Sequence, residues 1–209
     1  MKRECRVEEG LLLNARMVQA TFEERLNDEA AIRRATHEAT DWLLEPGYTN
    51  VIVELVNEAG HRLYDHGVLT AERVHELVEA ARERSGDQLL LSASRGGGKI
   101  PPNSHLTASD LHLLHGNNQT ATRVAAMVDE LRAKAAYGGE PIVFNEDSTT
   151  LANMRAAIGE GASWGYYDQG ANDYLTGFQS PPTNWALSAP EKRAFFTGVQ
   201  RLTQPNDTD

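Results

Sequence analysis

Two glutamates each close a short apolar run. Glu58 ends Val51-Ile-Val-Glu-Leu-Val-Asn57-Glu58, and Glu146 ends Pro141-Ile-Val-Phe-Asn145-Glu146. Acetal cleavage needs one carboxyl to protonate the departing oxygen and a second to attack or shield the sugar carbon. A single strand-end glutamate is more often a solvated or loop-capping residue. An ordered pair on two strands points to chemistry. Asn57, directly before Glu58, has the donors and acceptor to orient a sugar hydroxyl. His115 closes Leu111-His-Leu-Leu-His115 and is a candidate substrate ligand, while Trp164 and Tyr166 in Ser163-Trp-Gly-Tyr-Tyr167 offer faces for sugar stacking. Trp185 is a candidate rim contact. His61, Asp65 and His66 follow Glu58 without the spacing of a metal motif and read as a polar loop. No metal and no cofactor is expected.

Elements that could position these residues follow from the periodicity. Apolar runs bounded by turn residues at Leu11–Leu13, Val51–Val56, Leu89–Ser94, Leu111–His115, Ile142–Phe144 and Ser163–Tyr167 read as six strands, the first of them doubtful. Helical spacing separates them. Ile32, Ala35, Ala39, Trp42 and Leu43 form one stripe over Asp28–Glu45, and Thr70 is the expected N-cap of a helix burying Val74, Leu77, Val78 and Ala81. Val124, Met127, Val128 and Leu131 mark another, Met154–Gly159 a short one, and Ser188-Ala-Pro-Glu191 a capping box before the last. Alternation of this kind implies a parallel α/β fold, and 209 residues imply one domain spanning 1–209.

If Glu58 faces the interior, strict alternation sends Asn57 outward, so a bulge or strand end must intervene for both to reach a ligand. The net charge of −10 opposes nucleic-acid binding, and no apolar run approaches the roughly 18–20 residues of a membrane span. Cys5 stands alone, which leaves no internal disulfide, and the first ten residues lack a secretory pattern, so a cytoplasmic location is the default.

The ordered set of strand ends resembles the cellulase-like retaining glycoside hydrolases of the large (β/α)8 clan. Asn57-Glu58 looks like the end of that clan's fourth strand, where the glutamate is the acid/base and the asparagine contacts a sugar hydroxyl. Glu146 looks like the nucleophile of the seventh strand. His115 is similar to the histidine of the sixth, and Trp164 and Tyr166 to the aromatic platform of the eighth. The chain departs from the pattern at Ala59, where the clan has proline, and at Asn117, where an aromatic residue is common.

The resemblance implies a (β/α)8 TIM barrel, incomplete, with strands three to eight present and a truncated start. It further implies retaining cleavage of a β-glycosidic bond in a carbohydrate substrate. Open sheet edges would invite a homodimer that covers them. The alternative is a non-catalytic carbohydrate-binding or interaction protein on a truncated barrel.

Overall fold

The computed structural model describes residues 13–18 as backbone, and residues 27–48, 51–167 and 190–203. In chain order these form β1 (Leu13–Val18), α1 (Glu29–Leu44), β2 (Val51–Val56), α2 (His75–Ser85), β3 (Leu90–Ser92) and α3 (Asn103–Ala108). They continue with β4 (His112–His115), α4 (Ala121–Arg132), β5 (Ile142–Glu146), α5 (Leu151–Gly159), β6 (Ser163–Trp164) and α6 (Pro190–Thr203). All paired strands are parallel, in two three-stranded sheets ordered β1-β2-β3 and β4-β5-β6. The expected parallel α/β fold is therefore present. Among the described residues there is no closed barrel, and no helix is long and apolar enough to cross a membrane.

Local chemistry explains the elements. Asp28 caps α1 by accepting from Ala31 N at 2.6 Å, and Thr120 caps α4 by accepting from Arg123 N at 3.3 Å. The α4 stripe of Val124, Met127, Val128 and Leu131 is buried as its spacing predicts. On α1 the buried face is Ile32, Thr36, Thr40 and Leu43, and Trp42 is 62% exposed, so the predicted stripe is rotated. The physical reason is that Thr36 and Thr40 donate their hydroxyls to the carbonyls of Ile32 and Thr36, which lets them pack as small apolar groups.

Thr70 does not cap α2. A 3₁₀ turn over Gly67–Leu69 comes first, Thr70 Oγ1 donates back to Gly67 O, and α2 opens only at His75. The last strand is shorter than expected and stops at Trp164, leaving Tyr166 beyond it. Leu11, Leu12 and Ser188 lie outside the described residues.

The two sheets adjoin and curl around one interior. Asp110 N donates to Leu91 O at 2.9 Å, and Ser92 Oγ donates to Leu111 O at 2.8 Å, which joins β3 to the segment entering β4. β2 and β5 then stand three strand spacings apart, about 14 Å in a flat sheet. Yet Asn145 on β5 donates to Glu54 on β2 at 3.0 Å. A flat sheet forbids that contact; a curved wall brings it about.

The core agrees with this curvature. Val51, Val53 and Leu55 face α1 and α2, and Ile142 and Phe144 face α4 and α5. A third cluster of Ile52, Leu111 and Leu113, with Leu90 and Val143, fills the inner face between the sheets.

Candidate active site

Two residues beyond Ile52, Leu90, Leu113 and Val143 along their strands come Glu54, Ser92, His115 and Asn145. Alternation puts them on the same inner face, so a polar layer rests on an apolar floor. Glu54, Ser92 and His115 are all 0% exposed.

The next step up the wall brings in the two predicted carboxylates by different means. β2 ends at Val56, and Glu58 lies in the following turn with φ 57°, a left-handed conformation uncommon for a residue with a side chain. Glu58 N donates to Ser94 Oγ at 2.8 Å, Ala59 N donates to Ser94 O at 2.8 Å, and Ser94 N donates to Val56 O at 3.1 Å. This strand end is the break in alternation that Asn57 and Glu58 require. Asn57 is buried, its carbonyl accepts from Tyr64 Oη at 2.6 Å, and its Oδ1 has no hydrogen-bond partner.

Glu146 reaches the interior through a bulge. Leu114 pairs with Phe144 but His115 pairs with Glu146, so β5 carries one extra residue, Asn145. Asn145 and Glu146 are consecutive, yet the first contacts Glu54 and the second approaches His115. Asn117 Nδ2 donates to Glu146 Oε1 at 3.2 Å.

His115 sits at the centre. Its Nδ1 is 3.0 Å from Glu58 Oε1 and 3.8 Å from Glu146 Oε2, and its Nε2 is 3.6 Å from Glu54 Oε1, an ion-pair rather than a hydrogen-bond distance. Burial alone would depress this imidazole. Its pairing with Glu54 and Glu58 and the charges of Glu54 and Glu146 outweigh burial and raise it to about 9. Three carboxyl groups around the ring thus favour its protonated form.

One ligand atom from each of Glu58, His115 and Glu146 lies within 4.8 Å of the others, and they are the one group among the described residues with the spacing to hold a metal ion. A protonated imidazole offers no lone pair to a metal. A metal ion there would have to displace the proton that the ring favours holding.

The other candidate residues are placed as follows. His112, on the opposite face of β4, is buried against the ring of Tyr137 and pairs with Glu140 at 3.3 Å. Trp164 donates its indole N–H to Asp147 Oδ2 at 2.6 Å, and the rings of Trp164 and Tyr166 both pack on Phe195 of α6. His61 packs edge-on against Tyr64. Trp185 lies outside the described residues.

Glu54, Asn117 and Asn145 join this cluster without having been singled out from the sequence as site residues. Glu54 did leave a signal: a carboxylate in the middle of a run buried on both faces has no water to reach, so it must meet partners inside.

No protein-family model matches this sequence, and no curated protein matches it either.

Proposed function

We propose that this chain is a glycoside hydrolase acting by the retaining route, and that its six strands are strands three to eight of a (β/α)8-type wall. The observation carrying this reading is the approach of Glu58 and Glu146, from separate strand ends, to within 4.8 Å across His115. Retaining enzymes hold their carboxyls about 5–5.5 Å apart, whereas inverting enzymes leave about 6.5–9.5 Å for a water.

In this mechanism Glu146 attacks the anomeric carbon as the bond to the leaving oxygen breaks, and Glu58 gives that oxygen a proton. Water then surrenders a proton to Glu58, attacks the same carbon and releases the Glu146 carboxylate. Asn117 fixes Glu146 through Oε1. The first proton comes from His115 Nδ1, 3.0 Å from Glu58. While Glu146 is charged it helps hold that proton on the ring. As Glu146 bonds to the anomeric carbon its charge is neutralised and the hold weakens, so in the same step the proton moves through Glu58 to the departing oxygen. Asn57 Oδ1, buried without a partner, is suited to a sugar hydroxyl. A homodimer covering the sheet edges belongs to the same reading.

The test is hydrolysis of aryl β-glycosides and soluble β-glucans. Glu58→Gln and Glu146→Gln should each lower kcat at least about a hundredfold with the fold intact. Azide added to Glu146→Ala should yield the α-glycosyl azide, and added to Glu58→Ala the β-glycosyl azide. Sugar binding without turnover by the wild type would instead support the carbohydrate-binding scaffold.

A further inference from the structure

Glu54 has no role in the two-carboxylate scheme, yet it is a costly residue to place where it is. It stands in the middle of β2 at 0% exposure, between strand neighbours that are all buried and apolar. A carboxylate taken out of water costs several kcal/mol, and a well-packed apolar residue of similar volume is often as stable or more so. Its place in the strand therefore calls for partners inside the fold, and the register sets Arg16 of β1 opposite it. The contrast with Asp147 is instructive. That buried carboxylate directs its oxygens to Asn153 and Trp164 and is accounted for as a clamp between β5, α5 and β6. Glu54 directs one oxygen to Asn145 and the other to the ring of His115.

We propose that Glu54 is a positioning residue of this site. Held by Asn145, it sets a negative charge behind the His115 ring, and by that charge it keeps Nδ1 a proton donor towards Glu58 and Glu146. The geometry divides the work between the two ring nitrogens. Nε2 faces the closed interior and meets Glu54, while Nδ1 faces the rim and meets the two carboxyls that would touch a sugar. Charged groups reach the ring from β2 (Glu54), from the turn after it (Glu58) and from β5 (Glu146); β1 places Arg16 opposite Glu54 in the register, and neither β3 nor β6 carries a charged residue. With Glu54 neutral, the buried ring would keep, among the described residues, the rim carboxyls as counter-charges. One of these loses its charge during the reaction. A charge held behind the ring, out of reach of substrate, stays constant through the cycle. The part of this role that concerns hydrolysis rests on the reading above, whereas the charge that Glu54 supplies to the ring does not.

The test is ¹⁵N NMR of both ring nitrogens of His115, assigned by their loss in His115→Gln. They are followed from about pH 5 to 10.5 in wild type, Glu54→Gln and Glu54→Asp. The wild-type ring should carry protons on both nitrogens at about pH 7.5. The Glu54→Gln midpoint should fall by at least about one unit, a tenfold loss in proton affinity, and Glu54→Asp should recover part of it. A midpoint in Glu54→Gln within about 0.3 unit of wild type overturns the proposal. So does a neutral wild-type ring at about pH 7.5, a measurement that decides the matter even if Glu54→Gln fails to fold. In the hydrolysis assay, the alkaline limb of kcat should move down with the NMR midpoint while KM stays near its wild-type value. If the wild type hydrolyses no glycoside, the hydrolase reading falls, and the NMR comparison still judges Glu54.

Discussion

Glu58 holds a backbone conformation that a side chain disfavours, and Ser94 is the residue that secures it. The Ser94 hydroxyl accepts the Glu58 N–H, and the Ser94 backbone bonds on both sides of that turn. Ser94→Ala leaves the Glu58 N–H without its acceptor in a half-buried turn and releases the strained φ. We expect a loss of about 1–2 kcal/mol in urea unfolding and a fall in kcat that exceeds what the stability loss explains. The two carboxylates were legible in the sequence because each closes an apolar run. Asn117 and Asn145 were not, since what makes them part of the site is proximity across strands. Asn117 stood out only as a departure from a family pattern, and it is the residue that donates to Glu146.

Among the elements, the β4 and β5 ends set the spacing of the site, and Gly116, whose N–H donates to Glu146 O at 2.8 Å, lies tight between them. A Cβ on Gly116 would come within 2.6 Å of Asp147 Oδ1 and 2.8 Å of its Cγ. Asp147 cannot yield cheaply, because Asn153 donates to it at 3.1 Å and Trp164 at 2.6 Å. Gly116→Ala should therefore push β5 outward just beside Glu146, costing about 1–3 kcal/mol in urea unfolding. Hydrolysis should drop with it, and Gly159→Ala, where a Cβ meets nothing, serves as the control. Element types followed from periodicity, as the α4 stripe illustrates. Faces and ends did not always follow. Trp42 lost its expected place to two threonines that bond their own helix, and the bulge at Asn145 has no local sequence mark, because it exists only as a register between β4 and β5.

Across the whole molecule, three histidines among the described residues are buried; burial lowers His105 and His112, whereas carboxyl partners raise His115, so they respond to pH in opposite directions. His105, 1% exposed with Nε2 on the Ala93 carbonyl, is depressed to about 4, mainly by burial. The unfolded chain protonates it first as pH falls, so its contribution is present above about 6.5 and is lost from there towards 4. His115 is raised to about 9, so its contribution is full below about 6.5 and is lost as pH rises through 9. Thermal unfolding should therefore show highest stability near pH 6.5 and a decline on both sides. His105→Gln should flatten the acid side, and Glu54→Gln the alkaline side. Alternation of strands and helices was legible at this scale from Val51–Val56, Ile142–Phe144 and the helical stripes between them. Curvature was not, because it resides in the twist between strands, and contacts across the interior such as Glu54–Asn145 reveal it.

Because every paired strand runs the same way, Glu58, Ser94, Asn117 and Glu146 all cluster at one rim, at or just past strand ends. The helix-to-strand turns at Gly47, Gly86, Gly138 and Gly161 gather at the other rim. Length changes in those lower turns alter no distance around His115. The lower rim is thus open to insertion and drift, while the upper rim, where backbone and side chains are bound to one another, must be inherited almost as a unit.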